Sequence, residues 1–238
     1  MARLALAAAA LLVVVSAPSA ALTLTTEEYP PFNMLDERTK EPTGITVDKV
    51  VELMNRAHEP FTITAYPWPR AYQMALQTDN TCVFSTSRTP EREALFTWIG
   101  PLAKSDWAIF ARASDTRKPK SLEDVRPFVI GGYNNAATGE YLKLRGYKVD
   151  LAINDSLNMQ KLLRNRIDFW ATGDLLGKYL IGKAGLAGQI VPLFKFELSG
   201  LYMACNRAMS PQDAEKFNRI LKEMDRDGSS AAIERKYE

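Results

Sequence analysis

Apolar residues along the chain alternate between the two spacings that distinguish strands from helices. Residues 22–26 alternate apolar and polar side chains, as a half-buried strand does. Residues 47–54 and 217–224 repeat apolar side chains at i, i+3, i+4 and i+7, which predicts one buried face on each of two helices. Strands and helices in alternation favour α/β sheets with helices on their faces. Further strands are predicted at 61–66, 82–84, 107–112, 128–130, 149–153, 167–171 and 201–205, and further helices at 71–77, at 138–144 and after Ser156.

Residues that end or cap an element fall between these segments. Pro30 and Pro31 end the first strand, because proline cannot continue a hydrogen-bonded ladder. Ser156 and Ser210 are predicted to cap helices, and Gly228 is predicted to end the last long helix. In α/β folds ligands bind at the carboxyl ends of strands, where helices begin. The search for function therefore starts at the strand ends.

The first twenty residues have the features of a secretory signal peptide. Arg3 supplies a positive charge, residues 4–15 form an apolar run, and the small residues 16–20 suit cleavage after Ala20. The apolar run is too short to cross about 30 Å of hydrocarbon, and an uncleaved anchor is the alternative. The mature chain is therefore expected to be soluble and periplasmic.

Charge and composition exclude several classes of function. The 238 residues include 30 basic and 28 acidic side chains, which gives a formal net charge of +2. A balance of this kind argues against nucleic-acid binding. One His and two Cys do not supply a zinc or iron–sulfur site without carboxylates, so neither a metal nor a cofactor is expected.

Three strand ends carry groups suited to a small polar ligand. Residues 84–92 place hydroxyls before Arg92, whose guanidinium can clasp a carboxylate through two parallel hydrogen bonds. Residues 132–140 bring small side chains to a helix start, where backbone amides can approach a ligand. Asp174 follows a strand and is a candidate partner for a ligand cation. The alternatives are a surface arginine beside a capped helix, a plain strand-to-helix turn and a helix-capping aspartate.

Aromatic side chains lie near other strand ends. Tyr29, Trp68 and Tyr72 are suited to sandwich an organic ligand or to attract its cationic group. Any one of them is more often part of the packing than of a site. They therefore support a binding site only together with the polar segments.

These segments resemble the bacterial extracellular solute-binding protein family 3, the periplasmic component of polar amino-acid ABC transporters. The resemblance covers residues 22–238, nearly all of the mature chain. Each matching fragment is common, whereas their order and spacing together are specific. The fragments are YPPF at 29–32, TGITVD at 43–48, SRTPER at 87–92, FTWIGP at 96–101, SLED at 121–124, RIDFWA at 166–171 and DG at 227–228.

The resemblance implies a type II periplasmic-binding-protein-like fold, in which two α/β lobes are joined by a two-strand hinge and enclose the ligand. Residues 21–106 and 198–238 are expected to form the first lobe, and residues 107–197 the second. In this fold Cys205, at the end of the returning strand, comes close to Cys82 on an antiparallel neighbour. A disulfide is therefore expected in an oxidising compartment, with free buried thiols as the alternative.

The resemblance also implies the ligand contacts. Arg92 is expected to bind a carboxylate with help from the Ser87 hydroxyl, and the backbone near Ser85 to accept from an α-amino group. Tyr29 is expected to line the side-chain pocket. The second lobe is expected to offer backbone amides to the same carboxylate. These amides belong to the turn Asn135, Ala136, Ala137 and Thr138.

Two segments depart from the family pattern. Amino-acid binders place an aspartate after the last strand of the second lobe to hold the α-ammonium group. That position falls on Gly173, with Asp174 one residue later. Either a shift in register restores the salt bridge through Asp174, or the ligand lacks an α-amino group. Trp68-Pro69-Arg70 replaces the commoner Trp-Asp-Gly and brings Arg70 near the cleft, where it can meet a second acidic group of the ligand.

The implied function is capture of a small carboxylate-bearing solute, a polar amino acid or a related organic acid. Closure of the two lobes on the ligand would precede delivery to an ABC transporter permease in the inner membrane. The protein is expected to be a monomer without catalytic residues. The alternatives are an enzyme similar to the periplasmic cyclohexadienyl dehydratases, with Asp174 as the acid, and a ligand-sensing partner of a receptor.

Overall fold

A computed structural model of the protein describes residues 21–237, so the predicted signal peptide lies outside the described residues. Strands and helices alternate through most of this range, which confirms the α/β class. The strands are β1 (Leu22–Thr26), β2 (Met34–Leu35), β3 (Pro42–Thr43), β4 (Phe61–Ala65), β5 (Thr81–Ser87), β6 (Thr97–Lys104), β7 (Trp107–Arg112), β8 (Val129–Tyr133), β9 (Lys148–Ala152), β10 (Phe169–Gly173), β11 (Ile190–Glu197) and β12 (Gly200–Cys205). The helices are α1 (Ile45–Ala57), α2 (Trp68–Gln77), α3 (Leu122–Val125), α4 (Ala137–Leu144), α5 (Asp155–Leu163), α6 (Asp174–Lys183), α7 (Pro211–Arg226) and α8 (Ser229–Glu234), with 3-10 helices at Glu93–Leu95 and Arg235–Tyr237.

Ten of the strands form two five-stranded sheets, and β2 pairs with β3 separately. The first sheet has the order β4-β1-β5-β12-β6, and the second has the order β11-β7-β10-β8-β9. The chain passes to the second sheet between Lys104 and Trp107 and returns between Glu197 and Gly200. We call residues 21–104 with 200–237 the first unit, and residues 107–197 the second unit.

Parallel pairing brings the carboxyl ends of several strands to one edge of each sheet. In the first sheet β1 runs parallel to β4 and β5, and in the second β8 runs parallel to β9 and β10. The loops that follow Thr26 and Ala65 therefore leave one edge of the first sheet together. The loops after Tyr133 and Ala152 do the same in the second sheet.

Each unit is held by its own buried apolar cluster. In the first unit the predicted apolar faces of α1 and α7 pack against the sheet, with Val50 and Met224 fully buried. In the second unit Phe110 and Trp170 are fully buried between the sheet and its helices. The periodicity at 47–54 and 217–224 is thereby confirmed. Within residues 21–237, no helix is both long and apolar enough to cross a membrane.

The helix ends confirm part of the sequence-based prediction and correct the rest. The Ser210 hydroxyl accepts a hydrogen bond from the Asp213 amide at 3.0 Å, and Gly228 follows α7 in the left-handed region with φ of 82°. The predicted cap at Ser156 is wrong. Asn154 caps α5 instead, because its Oδ1 accepts from the Leu157 amide at 3.0 Å.

The two-residue strands β2 and β3 had no predicted counterpart. Two long strands, β6 and β11, were not predicted either. Both contain a proline, Pro101 in β6 and Pro192 in β11, which argues against a strand in the sequence. Both lie at the edge of their sheets, where a missing N–H donor is tolerated. The ladder of β11 with β7 also shifts register after Pro192, which removes the alternation that reveals a strand.

The returning strand β12 is joined covalently to the first part of the chain. It runs antiparallel to β5 and places Cys205 directly opposite Cys82, and the two form a disulfide. Both residues are fully buried, and 123 positions of sequence separate them. The bond thus fixes the C-terminal segment to the strand that leads to Arg92.

We predict that this disulfide stabilises the protein substantially, because it closes a long loop of the unfolded chain. The Cys82→Ala, Cys205→Ala double variant should lose about 2–5 kcal/mol of unfolding free energy, measured by urea denaturation under oxidising conditions. The parent protein in excess reductant should approach the midpoint of the variant. Equal midpoints for parent and variant without reductant would contradict a stabilising bond.

Candidate functional site

A cavity of about 640 Å³ lies between the two units. Its walls come from the segments after β1 and β4 in the first unit, and from the end of β8, the start of α5 and the side of α6 in the second. Clefts at the carboxyl ends of strands are the usual ligand sites of α/β folds. The polar side chains that the site argument uses are Glu27, Tyr29, Tyr66, Tyr133, Asp155 and Tyr179.

Glu27 follows the last residue of β1 and lies half-buried in the wall of this cavity. Burial raises its pKa to about 8, and the nearby charge of Asp155 adds to the increase. A hydrogen bond with Tyr133 and the charge of Arg92 act in the opposite direction but do not outweigh burial. At neutral pH Glu27 therefore carries a proton in most molecules.

Asp155 is the first residue of α5 and reaches the cavity from the second unit. Its Oδ1 accepts from the Trp170 indole Nε1 at 2.9 Å, and its Oδ2 accepts from the Thr172 hydroxyl at 2.9 Å. Burial raises the pKa of Asp155, whereas these bonds and one from Asn158 lower it. All three donors are neutral, so they orient the carboxyl group without pairing it with a positive charge.

Tyr29 lines the cavity, as expected, and also closes the space beside Gly173. Its hydroxyl oxygen lies 3.2 Å from the Ser105 hydroxyl oxygen, on the connection between the units. A Cβ atom on Gly173 would lie only 2.3 Å from the Tyr29 hydroxyl oxygen. The position that carries an aspartate in amino-acid binders therefore has no room for a side chain here.

Asp174, the neighbouring candidate for that role, pairs with basic side chains of the protein. It begins α6 with its amide donating to the Asp106 carbonyl at 2.8 Å, and its side chain is buried. Its carboxylate pairs with Lys178 at 2.8 Å and with Lys195 at 3.5 Å. It is not among the residues that line the cavity. Its role as a ligand contact stays a prediction, in which the ligand would have to compete with the two lysines.

Arg92 is almost fully buried at the boundary between the units, with 3% of its surface exposed. Its amide donates to the Thr89 carbonyl at 3.0 Å, so the predicted helical turn is present and leads into a 3-10 helix. Its Nη2 donates to Glu140 Oε2 at 2.7 Å and to the Asn135 carbonyl at 3.0 Å, both in the second unit. The guanidinium thus holds a carboxylate, as predicted for this residue type, but the carboxylate belongs to the protein.

Aromatic rings surround this guanidinium. Its carbon lies 5.1 Å from the centre of the Tyr72 ring and 5.6 Å from that of Trp68. The Trp68 Nε1 donates to the same Asn135 carbonyl at 2.9 Å. Trp68 and Asn135 therefore position Arg92 rather than line the cavity. Ala137 and Thr138, the first residues of α4, are buried nearby in the second unit.

Two of the predicted ligand contacts, Ser85 and Ser87, lie on β5, which precedes Arg92 in the sequence. Ser85 adopts a left-handed φ of 62°, and its hydroxyl donates to Asn33 Oδ1 at 2.8 Å and lies 2.7 Å from the Thr46 hydroxyl. Ser85 therefore belongs to a buried polar network within the first unit. Ser87 ends the strand, half-buried and opposite Leu201 on β12.

Arg70 is exposed at the rim of the cavity. Its guanidinium carbon lies 4.3 Å above the centre of the Tyr66 ring, and Tyr66 lines the cavity. The expectation that Arg70 comes near the cleft agrees with this position. The contact is a cation–π interaction, which leaves the charge accessible to solvent.

Sequence reasoning missed the three acids that line the cavity, of which Glu27 and Asp155 are the less exposed. A signal existed for these two, since Glu27 directly follows a predicted strand and Asp155 begins a helix after another. Their burial and their proximity across two units depend on long-range contacts, which the local pattern does not contain. Tyr133 was within a predicted turn, but its bond to Glu27 is likewise long-range.

We predict that Gly173→Ala lowers the free energy of unfolding by about 1–3 kcal/mol, because the new methyl group overlaps the Tyr29 hydroxyl. Tyr29→Phe should restore most of that loss in the double variant. Gly182→Ala is the matched control, since a Cβ there meets no atom within 4 Å and alanine favours the helix. A Gly173→Ala protein as stable as its parent in thermal unfolding would show that the two residues are not packed together.

No curated protein sequence matches the chain. A solved histidine kinase sensor domain with similarity to periplasmic binding proteins has a TM-score of 0.81 at 20% identity, covering 91% of this chain and 95% of its own. An ancestral arginine-binding protein bound to arginine has a TM-score of 0.78 at 22% identity, with 91% and 97% covered.

A third similar structure is an ancestral amino acid-binding protein described as a precursor of cyclohexadienyl dehydratase. It has a TM-score of 0.75 at 19% identity and covers 91% of this chain and 94% of its own. At these identities the likeness establishes the periplasmic-binding-protein-like fold, with two sheets flanked by helices. The model of the bacterial extracellular solute-binding proteins, family 3, matches residues 22–238, and the chain belongs to that family.

Proposed function

We propose that the protein is a periplasmic solute-binding protein that captures a small carboxylate-bearing ligand between two closing lobes. In this proposal the lobes comprise residues 21–106 with 198–238 and residues 107–197. An ABC transporter permease in the inner membrane would receive the ligand, and the protein would act as a monomer without catalysis. The family and the amino-acid-binding proteins among its structural neighbours support this proposal.

The observation that carries the proposal is that both units contribute walls to one cavity. Four of its acidic or phenolic groups come from the first unit, and three come from the second. These are Glu27, Glu28, Tyr29 and Tyr66 on one side and Tyr133, Asp155 and Tyr179 on the other. A ligand in this space contacts both units at once, so its binding free energy favours the arrangement in which they meet.

Arg92 supplies the affinity for a carboxylate in this proposal. Its guanidinium already binds the Glu140 carboxylate across the boundary, while that glutamate side chain remains 46% exposed. Arg92 does not itself line the cavity, so a ligand carboxylate reaches the guanidinium by replacing Glu140, which then returns to water. Glu140 thus competes with the ligand and lowers its apparent affinity.

We predict opposite effects from the two members of this pair. In calorimetry against amino acids and organic acids, Arg92→Ala should lower the affinity for the best carboxylate ligand by about 100-fold, because two charge-assisted bonds are lost. Glu140→Gln should raise that affinity about fivefold, because the competing charge is removed. Circular dichroism checks that both variants fold.

Arg88→Ala is the matched control for this measurement. Arg88 also pairs with a glutamate, Glu93 at 2.5 Å, but lies exposed within the first unit. Its removal should change the affinity less than twofold. If Arg92→Ala binds every ligand as tightly as the parent, Arg92 is not the carboxylate-binding residue.

A dehydratase is the second candidate, and Glu27 is the observation that favours it. A carboxyl group that keeps its proton near neutral pH, in a cavity, has the property required of a general acid. Asp174, the acid suggested by the sequence, is instead paired with lysines.

We predict no turnover of prephenate or arogenate, followed by the ultraviolet absorbance of the aromatic product. The solute-binding proposal needs no chemistry at Glu27, so the parent and Glu27→Gln should both match the uncatalysed rate. If the parent forms the aromatic product and Glu27→Gln does not, the function is catalysis rather than capture.

A further inference from the structure

We propose that Tyr29 is a positioning residue that holds the two units in their closed arrangement, through the contacts of its hydroxyl group beside the connection between them. The inference rests on the proposed closure of the two lobes and names a residue that maintains it. We call residues 105–106 and 198–199, which join the units, the first and second crossing segments. Tyr29 lines the cavity and also contacts the first crossing segment, so one side chain links the ligand space to the hinge.

The first unit holds the Tyr29 ring in a fixed position. The Tyr29 amide donates to the Asn33 carbonyl at 2.8 Å, and the Asn33 amide donates back to the Tyr29 carbonyl at 3.0 Å. The ring stacks on that of Phe32, which is buried, with 5.6 Å between the ring centres and 18° between the ring planes. The Asn33 side chain accepts in turn from the Ser85 hydroxyl in the buried network of the first unit. The ring therefore moves with the first unit.

The Tyr29 hydroxyl reaches the first crossing segment. Its oxygen lies 3.2 Å from the hydroxyl oxygen of Ser105, which is buried. The Ser105 amide donates to the Ser199 carbonyl at 2.8 Å, so the two crossing segments are joined at this point. Ser105 is not among the residues that line the cavity. The contact thus connects a residue that faces the ligand space to a hinge residue that does not.

The second unit meets the same hydroxyl at Gly173. A Cβ atom on Gly173 would overlap the Tyr29 hydroxyl oxygen and would lie 3.3 Å from the Ser105 hydroxyl oxygen, so both hydroxyls lie against this glycine. The amide of the next residue, Asp174, donates to the Asp106 carbonyl at 2.8 Å. The end of β10 and the start of α6 are thus attached to the first crossing segment beside Tyr29.

The place of this hydroxyl makes its contacts sensitive to the angle between the units. Within residues 21–237 the chain passes between the two sheets at the two crossing segments, so a rotation of one unit against the other changes the backbone angles there. The Tyr29 hydroxyl is fixed on the first unit and lies between a crossing segment and the second unit. Its contacts are therefore made at one angle and lost when the units turn apart.

The size of the effect follows from the loss of one hydrogen bond. An intramolecular hydrogen bond between neutral groups changes an equilibrium constant by about three- to tenfold. If the bond between Tyr29 and Ser105 is made in the closed arrangement alone, its removal lowers the ratio of closed to open molecules by that factor. A ligand enclosed between the units then escapes faster, because the units open more often.

The test removes the contact from either side. Tyr29→Phe keeps the ring and its stacking on Phe32, and Ser105→Ala removes the partner hydroxyl without changing the cavity lining. The probe is the tightest ligand among arginine, glutamine, glutamate and citrate. Each variant should raise its dissociation rate constant about three- to tenfold, measured by stopped-flow tryptophan fluorescence. The association rate constant should change less than about twofold, because the ligand enters the open form.

The double variant separates one shared contact from two unrelated effects. If the two hydroxyls act through each other, Tyr29→Phe with Ser105→Ala should raise the dissociation rate constant no more than either change alone. Without any ligand, both single variants and the double variant should have a larger radius of gyration than the parent in small-angle X-ray scattering, because fewer molecules are closed. Thermal unfolding checks that each variant folds.

Ser199→Ala is the matched control, because Ser199 lies in the second crossing segment and its hydroxyl oxygen is 3.5 Å from the carbonyl of its neighbour Gly200. It should keep the rate constants and the radius of gyration of the parent. Faster dissociation in Tyr29→Phe alone, with Ser105→Ala unchanged, would mark a direct ligand contact and overturn the inference while solute capture stands. Effects of the two changes that multiply in the double variant would overturn it as well.

The scattering measurement decides the inference if none of the four probes binds. Solute capture would then fail as the proposed function. Variants with larger radii of gyration than the parent would still support the role of Tyr29 between the units, and radii equal to that of the parent would overturn it.

Discussion

Burying a carboxylate costs free energy unless hydrogen bonds, a cation or a proton compensates. Three carboxyl groups lie at the boundary between the two units: Asp155 is buried, Glu27 is half-buried, and Glu140 is exposed but pairs with the buried Arg92. Each is compensated in a different way. Glu140 pairs with Arg92, Asp155 accepts from neutral donors, and Glu27 retains its proton. The contacts of Glu140 and Glu27 cross the boundary and form when the two units meet, whereas the donors to Asp155 all belong to the second unit. The charges at this boundary therefore depend on how the two units are arranged, and they affect which ligands the cavity binds.

The fold explains why these groups reach one place. Parallel strands deliver Glu27 from the first sheet and Tyr133 from the second, since the loops after β1 and β8 leave the sheets at edges that face the cavity. The strand β12 completes the first sheet between β5 and β6, and its disulfide with β5 fixes the segment that ends at Arg92. A rigid first unit presents Arg92 and Glu27, and the second unit brings Glu140 and Asp155 to them.

The alternation of elements, the helix faces and the turn at Arg92 were predictable because local spacing and capping determine them. The disulfide followed from the resemblance, because it depends on which strands are neighbours. The residue that Arg92 binds was not predictable, since Glu140 lies 48 positions later in the other unit. The lack of room for a side chain at Gly173 was not predictable either, because the atom that lies there belongs to Tyr29. The partners of Asp174 were not predictable for the same reason, since Lys195 pairs with it from β11.

The central claim is that a carboxylate-bearing ligand binds between the units, in contact with both. A crystal structure of the protein grown with the tightest ligand found by calorimetry tests it most directly. The account predicts the ligand in the cavity between the units, with its carboxylate on Arg92 and Glu140 displaced into solvent. A ligand that binds outside the cavity, or one that lies in it with Arg92 still paired to Glu140, would contradict the account.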